Sequence, residues 1–282
     1  MSRSHGRVAL ATMTLFVLLA TPPPHAAGDS SGLFGWLVSD LNLVSVEQEA
    51  QISQQIAGEV ESKERMVRDP VIEAYVQDLG DRLVAAAGRS PFHYRFHVVA
   101  DRGVNAFGIG GGRIYVNAGL LAEADREGEV AAVLAHEIGH QVRRHVAKQL
   151  SRQAVFDNIA RVAVGSNASQ WTNLAAGLGI TTGQLYFGRE AEREADAVMV
   201  DLMPRAGYDP REAIAIFAKL RAIEGRDPGL VAELFSSHPP TREREESIRE
   251  AVARERLPQG LIRDSARFQD VRRRVLEAMP RR

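Results

Sequence analysis

The sequence predicts an α+β chain, mostly helical, with a small β-sheet set beside one histidine-bearing helix. Three observations carry this. Long stretches repeat apolar residues at helical spacing, Ile52, Ile56 and Val60 among them. One short region, Phe92 to Leu121, instead shows strand alternation and a run of three glycines. Glu129 to Leu150 has helical periodicity and carries His136, Glu137 and His140 on adjoining turns.

Composition narrows the class. The 282 residues are 45% hydrophobic and 25% charged, enough apolar material for a packed core. Basic and acidic residues balance, 35 against 36, so the charge footprint of a nucleic-acid partner is lacking. The absence of cysteine excludes disulfides, thiolate metal ligands, thiol catalysis and an N-terminal lipidated cysteine. Residues 1–27 read as a signal peptide: Arg3 and Arg7, the apolar run Val8 to Ala20, then Pro22 to Pro24 and the small residues Ala26 and Ala27. As a helix that run reaches about 20 Å, short of a hydrocarbon core of about 30 Å, so export is expected over a membrane span. His25 disfavours cleavage after Ala27 and keeps a retained anchor as the alternative.

Residues 28–45 are a lead-in whose apolar part, Ser30 to Asn42, packs on the domain or rests on a membrane surface. Val46 to Val67 and Val71 to Ala87 are expected as helices, Pro70 opening the second and Gly88 following its end. Phe92 to Ala100 alternates as a strand, with His93 and His97 as structural residues. Asn105 to Leu121 reads as a hairpin that turns at Gly110 to Gly112, with Arg113 to Asn117 as a strand. At a sheet edge that strand could pair with an extended polypeptide; the other reading is an interior strand. Asp125 is placed as the cap of the next helix, with Arg143, Arg144 and Lys148 toward its C-terminal end. Ser151 to Gly183 suggests two short helices beside the cleft, and Glu190 to Val200 another helix. The main domain is set at 46–255, with 256–282 as a charged helical tail lacking any 34-residue repeat.

The chemistry centres on His136-Glu137-Ile138-Gly139-His140. Residues four apart on a helix lie about 6 Å apart along the axis and about 40° apart in azimuth, so both imidazoles can reach one metal ion. Glu137 lies about 60° round from His140, beside the ion, where a general base belongs. Leu134, Ile138, Val142 and Val146 fall roughly opposite and are expected in the core. Gly139 costs about 1 kcal/mol of helix propensity, which hints at a close backbone approach. A catalytic zinc takes three protein ligands and keeps a position open, so another carboxylate or histidine is needed. Glu192 and Asp196 share a helix face, and Glu194 points away from it. Glu192 can ligate, and Asp196 can accept a hydrogen bond from the outer nitrogen of a ligand histidine. His145 stands where no second-motif histidine is called for, since Arg143 and Val146 replace the residues such a motif needs, so it lies at the surface or behind the ligands.

HEIGH, the Glu192 to Asp196 run that opens 52 positions after His140, Asn105-Ala106-Phe107, and His238-Pro239-Pro240-Thr241 with Arg244 together resemble metallopeptidase family forty-eight, from about Val46 to Ile248. The resemblance implies a zincin-like (gluzincin) metalloprotease domain holding one Zn2+ per chain through His136, His140 and Glu192. Glu137 would be the base, and His238 or Arg244 a donor to the oxyanion, with His238 alternatively closing the open metal position. It further implies polypeptide substrates, misfolded or envelope proteins among them, a periplasmic location and contact with a membrane surface or an outer-membrane protein. The alternative is a client-binding module whose zinc is structural or self-blocked. Without further apolar runs of membrane-spanning length, processing of prenylated proteins is not expected.

Overall fold

In a computed structural model, residues 42–156, 168–180 and 185–279 are described. The expected signal peptide, most of the lead-in, and Ile159 and Val162 of the apolar insertion lie outside them. Helix α1 (Val46–Lys63) opens with a capping box in which Ser45 Oγ accepts from the Gln48 amide and Gln48 Oε1 from the Ser45 amide. It stops short of the expected Val67 because residues beyond it pair with the sheet: Met66 bridges Val99, and the Val67 amide donates to the Val98 carbonyl. Helix α2 (Pro70–Ala87) has the expected limits, with Asp69 as N-cap and Gly88 at φ 95° beyond its end.

Three strands follow, β1 (Arg95–Val99), β2 (Ala106–Gly108) and β3 (Arg113–Asn117), in the order β1-β3-β2. β2 and β3 form the expected antiparallel hairpin, and Gly110, Gly111 and Gly112 all have positive φ at its turn. β3 is interior, paired with parallel β1 on one side and β2 on the other, which decides for the interior-strand reading of Arg113 to Asn117; the edge strands are β1 and β2. Alternation sends Phe96, Val98, Ala106, Ile114 and Val116 into one core, while Val99, Phe107 and Tyr115 enter a second on the opposite face. The hairpin ends at Asn117, and α3 (Ala118–Glu123) begins where Gly119 lies too close to the Arg102 carbonyl for any side chain.

Helix α4 (Glu127–Val142) bears the HEIGH residues. Arg126, not Asp125, is its N-cap; the Asp125 amide instead donates to Glu129 Oε2 at 2.7 Å. The helix does not run on to Leu150. Arg144 adopts φ 53°, and the chain restarts as α5 (His145–Phe156). The guanidinium of Arg144 explains the break, since it pairs with buried Glu49 at 2.7 Å and with the Val44 carbonyl. Val142, expected in the core, is 46% exposed, whereas Leu134 and Ile138 are buried as expected and Val146 is buried from α5. Helix α6 (Ala168–Gly177) packs on α1, burying Trp171 and Ala175 in the second core, which fits the packing reading of the apolar insertion.

Helix α7 (Arg189–Arg205) crosses α4 at Gly139, where a Cβ would come within 2.9 Å of the Ala195 carbonyl oxygen and 3.0 Å of its Cα. Gly139→Ala therefore loses more through backbone overlap than it gains in helix propensity. A net cost of about 1–2 kcal/mol is expected, read as a melting temperature lower by about 2–8 °C; an unchanged or higher value would show that the crossing can spread freely. The chain continues through α8 (Arg211–Arg226), a 3-10 turn, α9 (Ala232–Ser237) and α10 (Arg242–Arg254). The 256–282 segment, expected as a charged tail beyond the domain, carries α11 (Ala266–Ala278), whose Phe268, Val271 and Val275 enter the main core against α2 and α3. Its apolar stripe is narrow, and the surrounding arginines mask it in composition.

Candidate metal centre

The crossing of α4 and α7 brings the sequence-selected residues into one buried cluster. His136 Nε2 and His140 Nε2 face each other at 3.1 Å. Glu192, from the first turn of α7, lies 3.5 Å from His136 Nε2 through Oε2 and 3.4 Å from His140 Nε2 through Oε1. His238, at the end of α9, joins them: its Nδ1 is 2.9 Å from Glu192 Oε1 and 3.4 Å from His136 Nε2. It is a member of the cluster as well as part of a Pro-Pro turn. Asp196, one turn beyond Glu192, meets His136 Nδ1 at 3.0 Å, the outer-nitrogen contact anticipated for it.

Arg244, expected as a donor to the oxyanion, faces the carboxylates of α7. Its Nε and Nη2 each donate to an Asp196 oxygen at 2.8 Å, and its Nη1 lies 2.8 Å from Glu192 Oε2 and 3.1 Å from the Pro239 carbonyl. This fork is spent on the two carboxylates. It stands in the first turn of α10, where Thr241 caps the helix by accepting from the Arg244 amide. The ring of Phe217 lies 5.4 Å from the guanidinium carbon.

These side chains suit a metal ion. Two ligands about 2.0–2.1 Å from a tetrahedral ion lie about 3.3 Å apart, and the inner donor atoms here are separated by 2.9 to 3.5 Å where contacts are closest. With its proton on Nδ1 toward Asp196, a neutral His136 turns its Nε2 lone pair toward His140, Glu192 and His238, the orientation a metal ligand needs. Burial would raise the Glu192 carboxyl, but His238, His136 and His140 outweigh it and hold the group far below the usual range, as a ligand requires. Burial likewise opposes ionisation of Asp196, and Arg244 and His136 reverse that.

Glu137 borders the cluster without joining it. Its Oε2 accepts from the Gly108 amide at 3.0 Å, on the edge strand β2. Its Oε1 is buried without a hydrogen-bond partner and lies 3.5 Å from His238 Nε2. Burial pushes this carboxyl above the usual range, with His238 and His136 pulling the other way. Beside it opens a cavity of about 50 Å³ walled by Val133, Ile216, Phe217, Leu234 and Phe235.

Two neighbours complete the surroundings. His145 is buried, 2.8 Å from His140 Nδ1, which decides between the surface and interior positions left open by the sequence. Phe187 stacks on the His140 ring with centroids 4.1 Å apart. Sequence reasoning missed Phe187, whose only signal is an aromatic residue five positions before Glu192.

The profile of Peptidase family M48 matches residues 70–252. The chain is similar to the beta-barrel assembly-enhancing protease of Yersinia pestis, 31% identical over 79% of this chain and 49% of that one. It is similar to mitochondrial metalloendopeptidase OMA1 of Schizosaccharomyces pombe, 32% identical over 74% of this chain and 62% of the relative. Metalloprotease LoiP of Escherichia coli is 29% identical over 80% of this chain and 89% of its own length. The chain thus spans about half the length of the assembly-enhancing proteases it matches. Because the profile match takes in both crossing helices and the His238 and Arg244 segment that closes on them, the chain belongs to peptidase family M48.

Proposed function

We propose that the protein is a zinc-dependent metalloendopeptidase that acts on misfolded or envelope proteins. The observation that carries this reading is the Oε1 of buried Glu137, without a hydrogen-bond partner and 3.5 Å from His238 Nε2 beside the cluster of His136, His140, Glu192 and His238. His136, His140 and Glu192 would hold zinc, the borderline-soft ion that suits two imidazoles and a carboxylate. Zinc would supply a Lewis acid for the scissile carbonyl and ease the ionisation of water. The remaining steps belong to the chain. Gly108 fixes one oxygen of Glu137 and so aims the other, which takes a proton from water and returns it to the leaving amine. Asp196 sets the His136 tautomer, while Arg244 holds Asp196 and Glu192 in register. β2 is an edge strand beside Glu137, and its main-chain groups other than the Gly108 amide would pair with an extended polypeptide; the adjoining cavity suits an apolar substrate side chain.

Residues 1–27 support export to the periplasm, and the name of the beta-barrel assembly-enhancing relatives supports a part in envelope protein quality control with an outer-membrane protein as a contact. A second reading is favoured by His238, whose approach to Glu192 closes the cluster and would keep the site idle or turn it toward client binding. The test is cleavage of unfolded casein by the purified chain, with zinc measured on the same sample. Chelation is expected to abolish cleavage and about one equivalent of zinc to restore it; cleavage that persists in metal-free protein would sink the proposal. Zinc bound without cleavage, and cleavage gained in His238→Ala, would favour the self-closed reading.

A further inference from the structure

We propose that His145 is a positioning residue for the metal site, holding His140 by its outer ring nitrogen and anchoring that hold on Glu194. This rests on the reading of His136, His140 and Glu192 as metal ligands. On an unbroken helix, residue 145 would lie about 140° round from residue 140 and could not support it. The left-handed Arg144 ends α4 and starts α5 one residue later, which brings His145 back behind the ligand. The break is fixed by the Arg144 pair with Glu49, so His145 is delivered by a rigid feature of the core.

The contacts form one consistent chain of donors. His140 turns Nε2 toward His136 and Glu192, which leaves its proton on Nδ1. That proton is donated to His145 Nδ1 at 2.8 Å. His145 then carries its own proton on Nε2, and donates it to Glu194 Oε2 at 3.3 Å. Arg143 Nε lies 3.7 Å from the same carboxylate oxygen. His145 is only 2% exposed, so a bare ring nitrogen there would go unsatisfied without these two partners. Phe187 covers a face of the His140 ring, leaving little freedom to rotate. The two ligand histidines are thus held from behind by different means: His136 directly by a carboxylate, and His140 by a carboxylate through an intervening imidazole. Glu194, which points away from the ligand face of α7, thereby acquires a role alongside Glu192 and Asp196 from the same helix.

The test is zinc affinity of the full chain, measured by competition with a chromophoric chelator, with Co2+ absorption as a report on coordination geometry and melting of the metal-free proteins alongside. His145→Leu keeps the bulk and removes the acceptor, and is expected to weaken zinc binding about 10–100-fold and to alter the Co2+ spectrum. His145→Asn places an amide oxygen near the position of Nδ1 but has no group at Nε2 to reach Glu194, and is expected to bind zinc more weakly than the parent and more tightly than His145→Leu. Equal affinity for parent and His145→Leu overturns the proposal, as does equal weakening in both variants, which marks a packing role only. A parent chain that binds no zinc overturns the ligand reading itself, and the proposal with it.

Discussion

Glu137→Gln is expected to lower kcat/KM for casein by about 10²–10⁴, the range that a lost general base commands, while zinc content and fold stay as in the parent. The amide is nearly isosteric, and its oxygen can still accept from Gly108, so the contact between α4 and β2 survives. What disappears is a proton acceptor at Oε1, the buried atom without a protein partner. Burial disfavours the charged form of Glu137, and replacing it by a neutral amide should therefore leave stability within about 1 kcal/mol. Kinetics and metal analysis on one preparation check this directly. Undiminished hydrolysis at equal zinc would remove Glu137 from the role of base, whereas loss of zinc would mean that it takes part in ligation.

Arg244→Ala should produce the largest loss of stability at the site. The guanidinium makes two bonds to Asp196 and one ion pair to Glu192, and all three side chains are buried. Removing one partner of a buried ionic group leaves the other charges without compensation and costs about 3–5 kcal/mol. In a chain of this size the melting temperature should fall by about 6–20 °C. Zinc affinity should fall as well, by about 10–100-fold, because the carboxylates that orient His136 and supply Glu192 lose their anchor. Arg244→Lys should recover little, since a single ammonium cannot reproduce the fork on Asp196. Thermal unfolding with and without zinc measures both effects. A metal-free variant as stable as the parent would mean that the carboxylates find other partners and that Arg244 is no clamp.

The reach of local pattern is visible in particular elements. The four-residue step from His136 to His140 and from Glu192 to Asp196 is helix geometry, so which side chains share a face could be read before any tertiary contact was known. The Pro70 start, the Gly88 end and the glycine turn of the hairpin were legible for the same reason, being demands of the local backbone. Even the crossing at Gly139 left a trace, since a glycine in mid-helix has a local cost that something must offset.

Other features depend on residues far apart in sequence. Glu49 ends α4 by pairing with Arg144, 95 positions away, and that break converts His145 from a residue on the wrong side of a helix into a neighbour of His140. Sheet order makes β3 interior and leaves β1 and β2 as the edge strands, which alternation along any one strand does not encode. Arg244 stands near a conspicuous Pro-Pro pair, yet its work is defined by carboxylates on α7, and α11 joins the core because α2 and α3 present a surface to its narrow apolar stripe. The sequence by itself thus determined the donor types and their spacing, because periodicity is a property of the local backbone. The tertiary structure alone decided which donors converge, which have partners behind them and which strand is interior, because burial and ion pairing depend on the neighbours that folding brings together.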